Sequence, residues 1–486
     1  MARLSVRVLV PSLLLCGVGL WYFLSLRASP HAKSIRETSF DSNNDSVFFP
    51  GCQVPVANDA PRQNAALVML ARNSDVDGVI RSIDSLEQHF NQWFNYPWVL
   101  LNDEPFTEEF KQRVSPHTAN ITYHLIPQEH WQFPENVDEQ EMVEAFNQQA
   151  DRGILYGAFK SYHQMCRYYS YNFYKHPAVA ELEWYWRVEP DVEFFCDITY
   201  DPFEEMAKHK KKYGFNVLMQ DLFYTLPGLY RTVASYMKQE DIRVRDQRLW
   251  HMFMFDDTRL HSSSGKWDPN DFSGNVNEVR RQMKQKLLHR RLVAASSKDW
   301  AKFQPLLNQV AQQAGTHHRK LYPDRFNGYD YNWGHFWTNF EIARVDVFTS
   351  DKYRKYYDYI DKSGGFWRER WGDAPVRSLA LAMLLTVDEI HYFRDIGYRH
   401  SDMSHCPIND DGSGHPAHIG CNCKCTWRHQ DLEERGSYMY KRWKRATQDG
   451  YSVPLSINLD DMERELQSRI DKDLNRGAHL FELIDQ

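Results

Sequence analysis

Glu189-Pro190-Asp191 stands between two apolar, strand-like runs, EWYWRV at 183–188 and VEFF at 192–195. An acid-proline-acid turn at a strand end can aim one or two carboxylates at a divalent cation, and hard oxygen ligands suit Mg²⁺ or Mn²⁺. The same residues also make a plain turn. A denser constellation follows: HFWTNFEIA at 335–343, SGGFWRERWGDAPVRS at 363–378 and HYFRDIGYRH at 391–400. Arg368, Glu369, Arg370 and Asp373 lie among Phe366, Trp367 and Trp371. A buried charge is costly unless paired, so these groups must pair with one another or with a ligand. Gly364-Gly365 and Gly372 permit tight turns or a close approach of backbone to a ligand.

These residues need elements to position them. AALVMLA at 65–71 predicts a strand, and residues 75–92 place Val76, Val79, Ile80, Ile83, Leu86 and Phe90 at helical spacing. YPWVLL at 96–101 predicts a second buried strand. Strand, helix, strand makes a βαβ unit and a parallel sheet, so the fold class is α/β. Ligands bind beyond the carboxyl ends of such strands, where Ala71-Arg72-Asn73 stands. Residues 159–176 predict an aromatic helix with Tyr162, Cys166, Tyr169 and Phe173 on one face. Most of these belong to a core, while a tyrosine at the helix start can face a ligand. Residues 215–219 predict another short strand. Neither G-x-G-x-x-G nor a Walker A motif occurs, which removes the main support for dinucleotide and P-loop readings.

The chain has 486 residues, 65 acidic and 58 basic side chains and a net charge of −7. That balance gives no basic footprint for nucleic acid. With 42% hydrophobic and 25% charged residues, a mostly disordered, collagenous or multi-span membrane protein is also excluded. Aromatic residues reach 14%, which suits either stacking on sugars or a large aromatic core.

Residues 8–26 carry no charge over nineteen positions, close to the roughly 20 that span a bilayer as a helix. The run is too long for a signal-peptide core, and Ser25-Leu26-Arg27-Ala28 makes a poor cleavage site. The expected organisation is a tail at 1–7, a signal anchor at 8–26, a polar stem at 27–62 and a folded domain at 63–486. Within that domain, residues 231–325 read as an insertion with charge runs and turns. Its basic stretch at 279–291 is either a solvated helical face or a surface for an acidic partner or membrane. Asn44 and Asn120 begin glycosylation sequons, which have meaning only in the secretory lumen. Beyond Cys16, seven cysteines remain, four of them in CPINDDGSGHPAHIGCNCKC. A zinc site there lacks the usual C-x₂-C spacing, so disulfides are expected, with at least one thiol unpaired.

Taken together, YHQMCRYYS, WRVEPDVEFFCDI, HFWTNFEIA, GGFWRERWGDAPVRS and DIGYRH resemble the fungal α-1,2-mannosyltransferases of glycosyltransferase family 15. The resemblance covers about 63–230 and 326–425, with five motifs in order. It implies a GT-A fold (Rossmann-like, nucleotide-sugar-binding) behind a type II Golgi anchor, with the domain in the lumen. It also implies retaining transfer of mannose from GDP-mannose, with Mn²⁺, to mannosylated glycoprotein acceptors. In that case Glu189 and His400 hold the metal with Asp191 nearby, and Glu341 lies beside the anomeric carbon as nucleophile or oxocarbenium stabiliser. Arg72, Asn73, Tyr162 and Asp373 become donor or acceptor contacts. A glycoside hydrolase and a non-catalytic carbohydrate-binding protein of the same fold remain the alternatives.

Overall fold

Runs that are apolar on both faces form the central strands β1 (Ala65–Leu70), β2 (Trp98–Asn102) and β4 (Trp184–Arg187), as buried parallel strands should. They belong to a computed structural model that describes residues 47–49, 52–55, 62–254, 260–261, 276–296, 325–326, 329–410, 416–425, 431–433, 437–448, 457–476 and 483. The expected anchor at 8–26 and the sequon at Asn44 lie outside the described residues. Among those described, no helix is long and apolar enough to cross a membrane. Asn120 is described and exposed.

The main sheet also contains β3 (Ile121–Leu125), β6 (Tyr213–Phe215), β9 (Glu341–Arg344) and β10 (Ile390–Tyr392). Its order is β10-β6-β9-β4-β1-β2-β3. All neighbours run parallel except β9, which is antiparallel to both β4 and β6. The chain moves outward from β1 to β2 and β3, then returns to the other side of β1 with β4. The carboxyl ends of β1 and β4 therefore flank a topological switch point, the usual ligand crevice of an open α/β sheet. Arg72 and Asn73 follow β1 there, and Glu189 follows β4.

Side chains alternate across β4, with Trp184 and Trp186 packed on one face and Tyr185 on the other. The helix α3 (Asp373–Leu384) lies on the Tyr185 face and is buried all round from Asp373 to Met383. Helix α1 (Val76–Leu86) lies on the other face and buries Val79, Ile83 and Leu86. Its hydroxyls hold the strand that follows the acid turn: the N–H groups of Val192 and Phe194 donate to Ser82 and Ser85 Oγ at 3.0 and 2.9 Å. That strand, β5 (Val192–Phe194), pairs with β11 (Tyr398–His400), and β11 pairs with β12 (Met403–His405).

Three disulfides tie this small sheet down: Cys52–Cys421, Cys196–Cys423 and Cys406–Cys425. The alternate cysteines of the C-x-C-x-C run thus reach three different segments, and Cys166 is left as a buried thiol. The aromatic helix is shorter than expected. It spans Lys160–Ser170 (α2) and turns at Tyr171 into a 3₁₀ segment, Asn172–Lys175. The single strand expected at 215–219 is two, β6 and β7 (Leu218–Gln220). The latter leaves the main sheet to pair with β8 (Gly334–Phe336).

Residues 231–254, the first part of the expected insertion, pack into the core through Val233, Leu249 and Trp250. The basic helix at Val276–Ser296 meets an acidic partner within the chain, the helix Leu459–Asn475. Arg280 pairs with Glu465 at 3.1 Å, Arg290 with Glu463 at 3.3 Å, and Arg291 with Asp471. The glycines of GGFW serve packing. Gly364 takes a φ of +75°, and a Cβ on Gly365 would lie 2.3 Å from the buried Trp371 ring. Gly365→Ala is therefore expected to lower folding stability by about 1–3 kcal/mol, read by chemical denaturation.

Candidate active site

Arg187 ends β4 and is the hub of the site. It is buried, with its guanidinium 3.4 Å above the Tyr169 ring. Its Nε donates to Glu189 Oε1 at 2.6 Å, and its Nη1 donates to Asp373 Oδ2 at 2.6 Å. Asp373 stands at the start of α3 and also accepts from Thr338 Oγ1 at 2.8 Å. Burial alone would raise the Asp373 carboxyl, but Arg187 and Arg377 together hold it below its usual value. Burial pushes Glu189 up against the pull of Arg187.

One helical turn along α3, Arg377 continues the chain of charges. Its Nη1 lies 2.7 Å from Glu341 Oε1 and 3.9 Å from Asp373 Oδ2. Glu341 opens β9 directly opposite Arg187 on β4. The hydroxyls of Tyr185 and Tyr213 donate to its two oxygens at 3.0 and 3.1 Å. Arg377 Nη2 donates to the Tyr185 hydroxyl at 2.6 Å. Glu341 and Arg377 are both 0% exposed, so Glu341 sits one guanidinium inward of Asp373 rather than on an open wall. Burial raises its carboxyl, opposed by Arg377. Three carboxylates thus share two guanidiniums, which leaves the cluster one negative charge in excess.

His400 comes to the acid turn through strand pairing, because it lies opposite Val192 in the β11–β5 ladder. Its ring stacks on Trp337 at 5.5 Å, and its Nδ1 bonds the Asn339 amide at 2.9 Å. Burial pushes its pKa down to about 4, the Arg187 charge acts the same way and Asp191 opposes. The imidazole is therefore neutral at physiological pH and keeps a lone pair for a metal. In the structure the Asn339 Nδ2 group donates to Nδ1, so the Nε2 lone pair is freed for a metal only when Asn339 turns its amide oxygen toward an Nδ1–H.

Asp191 is turned elsewhere. Its backbone takes a φ of +64°, its N–H donates to the Gly78 carbonyl at 3.1 Å, and its carboxylate binds Arg81 of α1, with Nε at 2.9 Å. Among the described residues no three His, Cys, Asp or Glu side chains form a metal cage. Glu189, which Arg187 engages through Oε1, and neutral His400 fit an Mn²⁺ or Mg²⁺ ion that would take its other oxygens from phosphate and water.

The remaining expected contacts divide. Arg72 is exposed and bonds its own neighbour Asp75 through Nε and Nη2, at 3.0 and 2.8 Å. Asn73 is occupied structurally. Its amide donates to the Pro105 carbonyl at 3.0 Å and accepts from Thr107 N–H at 2.9 Å, which joins the loops after β1 and β2. The Tyr162 hydroxyl accepts from Arg370 Nη1 at 3.3 Å, and burial raises its pKa so that it stays protonated. The charges of the 368–373 motif all find partners: Arg368 with Glu141, Glu369 with the Gly228 N–H and Trp371 Nε1, and Arg370 with Asp221.

Sequence reasoning missed Arg187, Arg377, Tyr185 and Tyr213 as site residues. Arg187 did leave a signal, as a cation on the alternate face of a strand of tryptophans. Arg377 left another, four residues after Asp373 in an apolar helix.

The family described as Glycolipid 2-alpha-mannosyltransferase matches residues 28–277 and 296–448. Probable mannosyltransferase KTR7 of Saccharomyces cerevisiae is 39% identical over 441 residues, covering 86% of this chain and 84% of that protein. O-glycoside alpha-1,2-mannosyltransferase homolog 4 of Schizosaccharomyces pombe is 38% identical, covering 85% and 84%. Among solved structures, Core-mannan synthase A (CmsA/Ktr4) of Aspergillus fumigatus in its Mn/GDP form gives a TM-score of 0.58 at 29% identity, covering 86% and 92%. The mannosyltransferase Ktr4p of S. cerevisiae in complex with GDP gives 0.58 at 28%, covering 87% and 92%.

Proposed function

The chain belongs to the glycolipid 2-alpha-mannosyltransferase family, and we propose that it transfers mannose from GDP-mannose to mannoside acceptors, forming α-1,2 linkages with retention. The observation that carries this reading is the convergence of Glu189, His400 and Asp373 at the switch point of the sheet. One antiparallel strand within a mixed seven-stranded sheet supports the GT-A form of the fold.

Glu189 and His400 would hold Mn²⁺, which when bound neutralises the diphosphate of GDP. Arg187 orients Glu189 and Asp373 together. Asp373, kept ionised by two guanidiniums, accepts hydrogen bonds from sugar hydroxyls, while Tyr162 and exposed Arg72 offer a hydroxyl and a cation to the donor. Glu341 supports the positive charge that develops at the sugar by fixing Arg377, and so Asp373, in place. The substrates are O-linked and N-linked mannose chains of cell-wall glycoproteins, met in the Golgi lumen by a domain anchored through residues 8–26. Pairing of Asp373 and Glu341 with arginines speaks against a glycosidase, which needs one protonated carboxyl and one free carboxylate at the scissile bond.

The test uses the full chain in detergent with GDP-mannose, other nucleotide sugars, Mn²⁺ and a panel of mannosides, with product linkage determined. An Mn²⁺-dependent α-1,2 product from GDP-mannose is expected. Release of mannose from mannosides without GDP-mannose would reject the transferase reading.

A further inference from the structure

Among the described residues, six of the ten exposed large hydrophobic side chains fall in two short segments: Leu155, Tyr156 and Phe159, and Leu222, Phe223 and Tyr224. Both segments lead to one guanidinium. Arg370 Nη1 reaches the Tyr162 hydroxyl at 3.3 Å, and Tyr156 stacks on the Tyr162 ring at 4.6 Å. Arg370 Nη2 reaches Asp221 at 3.1 Å, beside Phe223, which packs on Trp333 at 5.5 Å. The two aromatic lips are therefore linked through buried Arg370 and its half-buried partner Asp221. That pair adjoins the active site, because Arg370 lies three residues before Asp373 on the same loop into α3. Arg370 Nε is buried and has no hydrogen-bond partner.

Two of the eight non-glycine residues with positive φ among the described residues lie at these lips, and they are the two aromatic ones. Tyr156 and Trp333 take φ values of +60° and +59°. The left-handed region is unfavourable for bulky side chains, and such strain gathers at ligand clamps. Tyr156 is exposed at the first lip, and Trp333 is half-buried between the core and the Phe223 ring of the second.

We infer that these lips bind the acceptor glycan at the sugar next to the one that receives mannose. This rests on the transferase reading above. A pyranoside has apolar C–H faces and a rim of hydroxyls, so it suits aromatic faces on two sides and charged groups on the floor. The receiving hydroxyl must come to Asp373, and the next sugar outward then lies over Arg370 and Asp221. An apolar membrane-facing patch would have no use for an ion pair between its lips. The lips therefore select acceptors of two or more sugars.

The test compares methyl α-mannoside with the methyl glycosides of α-1,2-mannobiose and mannotriose, using the full chain with GDP-mannose and Mn²⁺. In Phe223→Ala and Phe159→Ala, the ratio of kcat/KM for the trioside to that for the monosaccharide should fall about tenfold, through KM. Leu125→Ala, on the far edge strand, serves as the exposed-residue control and should keep the ratio. Equal loss on all acceptors, or an unchanged ratio, overturns the proposal. A loss confined to mannosylated peptides would also overturn it and assign the lips to the peptide. Saturation-transfer NMR with the mannotrioside reads binding without turnover. If the wild type transfers nothing from GDP-mannose, the functional reading fails. The lips then stand if Phe223→Ala loses the NMR signal and fall if it does not.

Discussion

Glu341→Ala is expected to lower folding stability by about 3–5 kcal/mol, the usual effect of breaking a buried ion pair from one side. Arg377 would be left as a cation with 0% exposure and no carboxylate within reach except Asp373 at 3.9 Å. The double variant Glu341→Met with Arg377→Met should recover much of that loss, because it removes both charges and fills similar volume. Denaturant titrations of the two single variants and the double close the cycle. A Glu341→Ala protein within 1 kcal/mol of wild type would show that the pair is not the closed, dry contact described. The same variants separate two roles. A nucleophile replaced by alanine leaves a cavity in which azide can attack the sugar, so a mannosyl azide product would support the nucleophile assignment. A residue that acts through Arg377 and Asp373 gives no such product, and Glu341→Gln, whose oxygen still accepts from Tyr185 while its NH₂ group donates to the Tyr213 hydroxyl, retains partial activity.

What the sequence made legible was local. The alternation in EWYWRV, the apolar runs of β1 and β2 and the Gly-Gly turn before FWRERW each follow from short-range sterics and burial. The acid turn at 189–191 could be located at a strand end for the same reason. The network could not be located this way. Arg187 meets Asp373 across 186 positions of sequence. Arg187 also stands opposite Glu341 because β9 enters the sheet antiparallel between β4 and β6, which no local period encodes. Asp191 shows the same limit: the spacing of Glu-x-Asp cannot reveal that Arg81 of α1 captures the second acid. The basic helix at Val276–Ser296 was open to two readings for want of its acidic partner, which lies about 180 residues on.

Aromatic content divides along the same line. Trp184, Trp186 and Tyr185 are core, and their alternation announced it. Trp337 belongs to the site because it stacks on His400, and Phe366 and Trp371 are buried behind the charged motif. Among the described residues, four of the five exposed rings come from the segments at 155–159 and 222–224, outside the motifs that drew attention in the sequence.

Arg187→Lys should weaken Mn²⁺ binding in the presence of GDP by about 10–100-fold, the usual effect of losing a group that orients a metal ligand. Lysine keeps the positive charge, but a single ammonium cannot serve Glu189 and Asp373 from two arms of a rigid plane as the guanidinium does. The substitution also loses the Nη1 hydrogen bond that fixes the Asp373 carboxylate. Both the metal ligand and the sugar contact then lose their fixed orientation in one substitution, and kcat/KM should fall further than metal affinity alone explains. Manganese EPR with GDP gives the affinity, and initial rates at saturating Mn²⁺ give the remainder. His400→Ala should show the affinity loss with Asp373 undisturbed, so the two variants separate at high metal concentration: His400→Ala recovers activity and Arg187→Lys does not. Unchanged manganese affinity in Arg187→Lys would remove Glu189 from the metal site and leave Arg187 as a core ion-pair partner only.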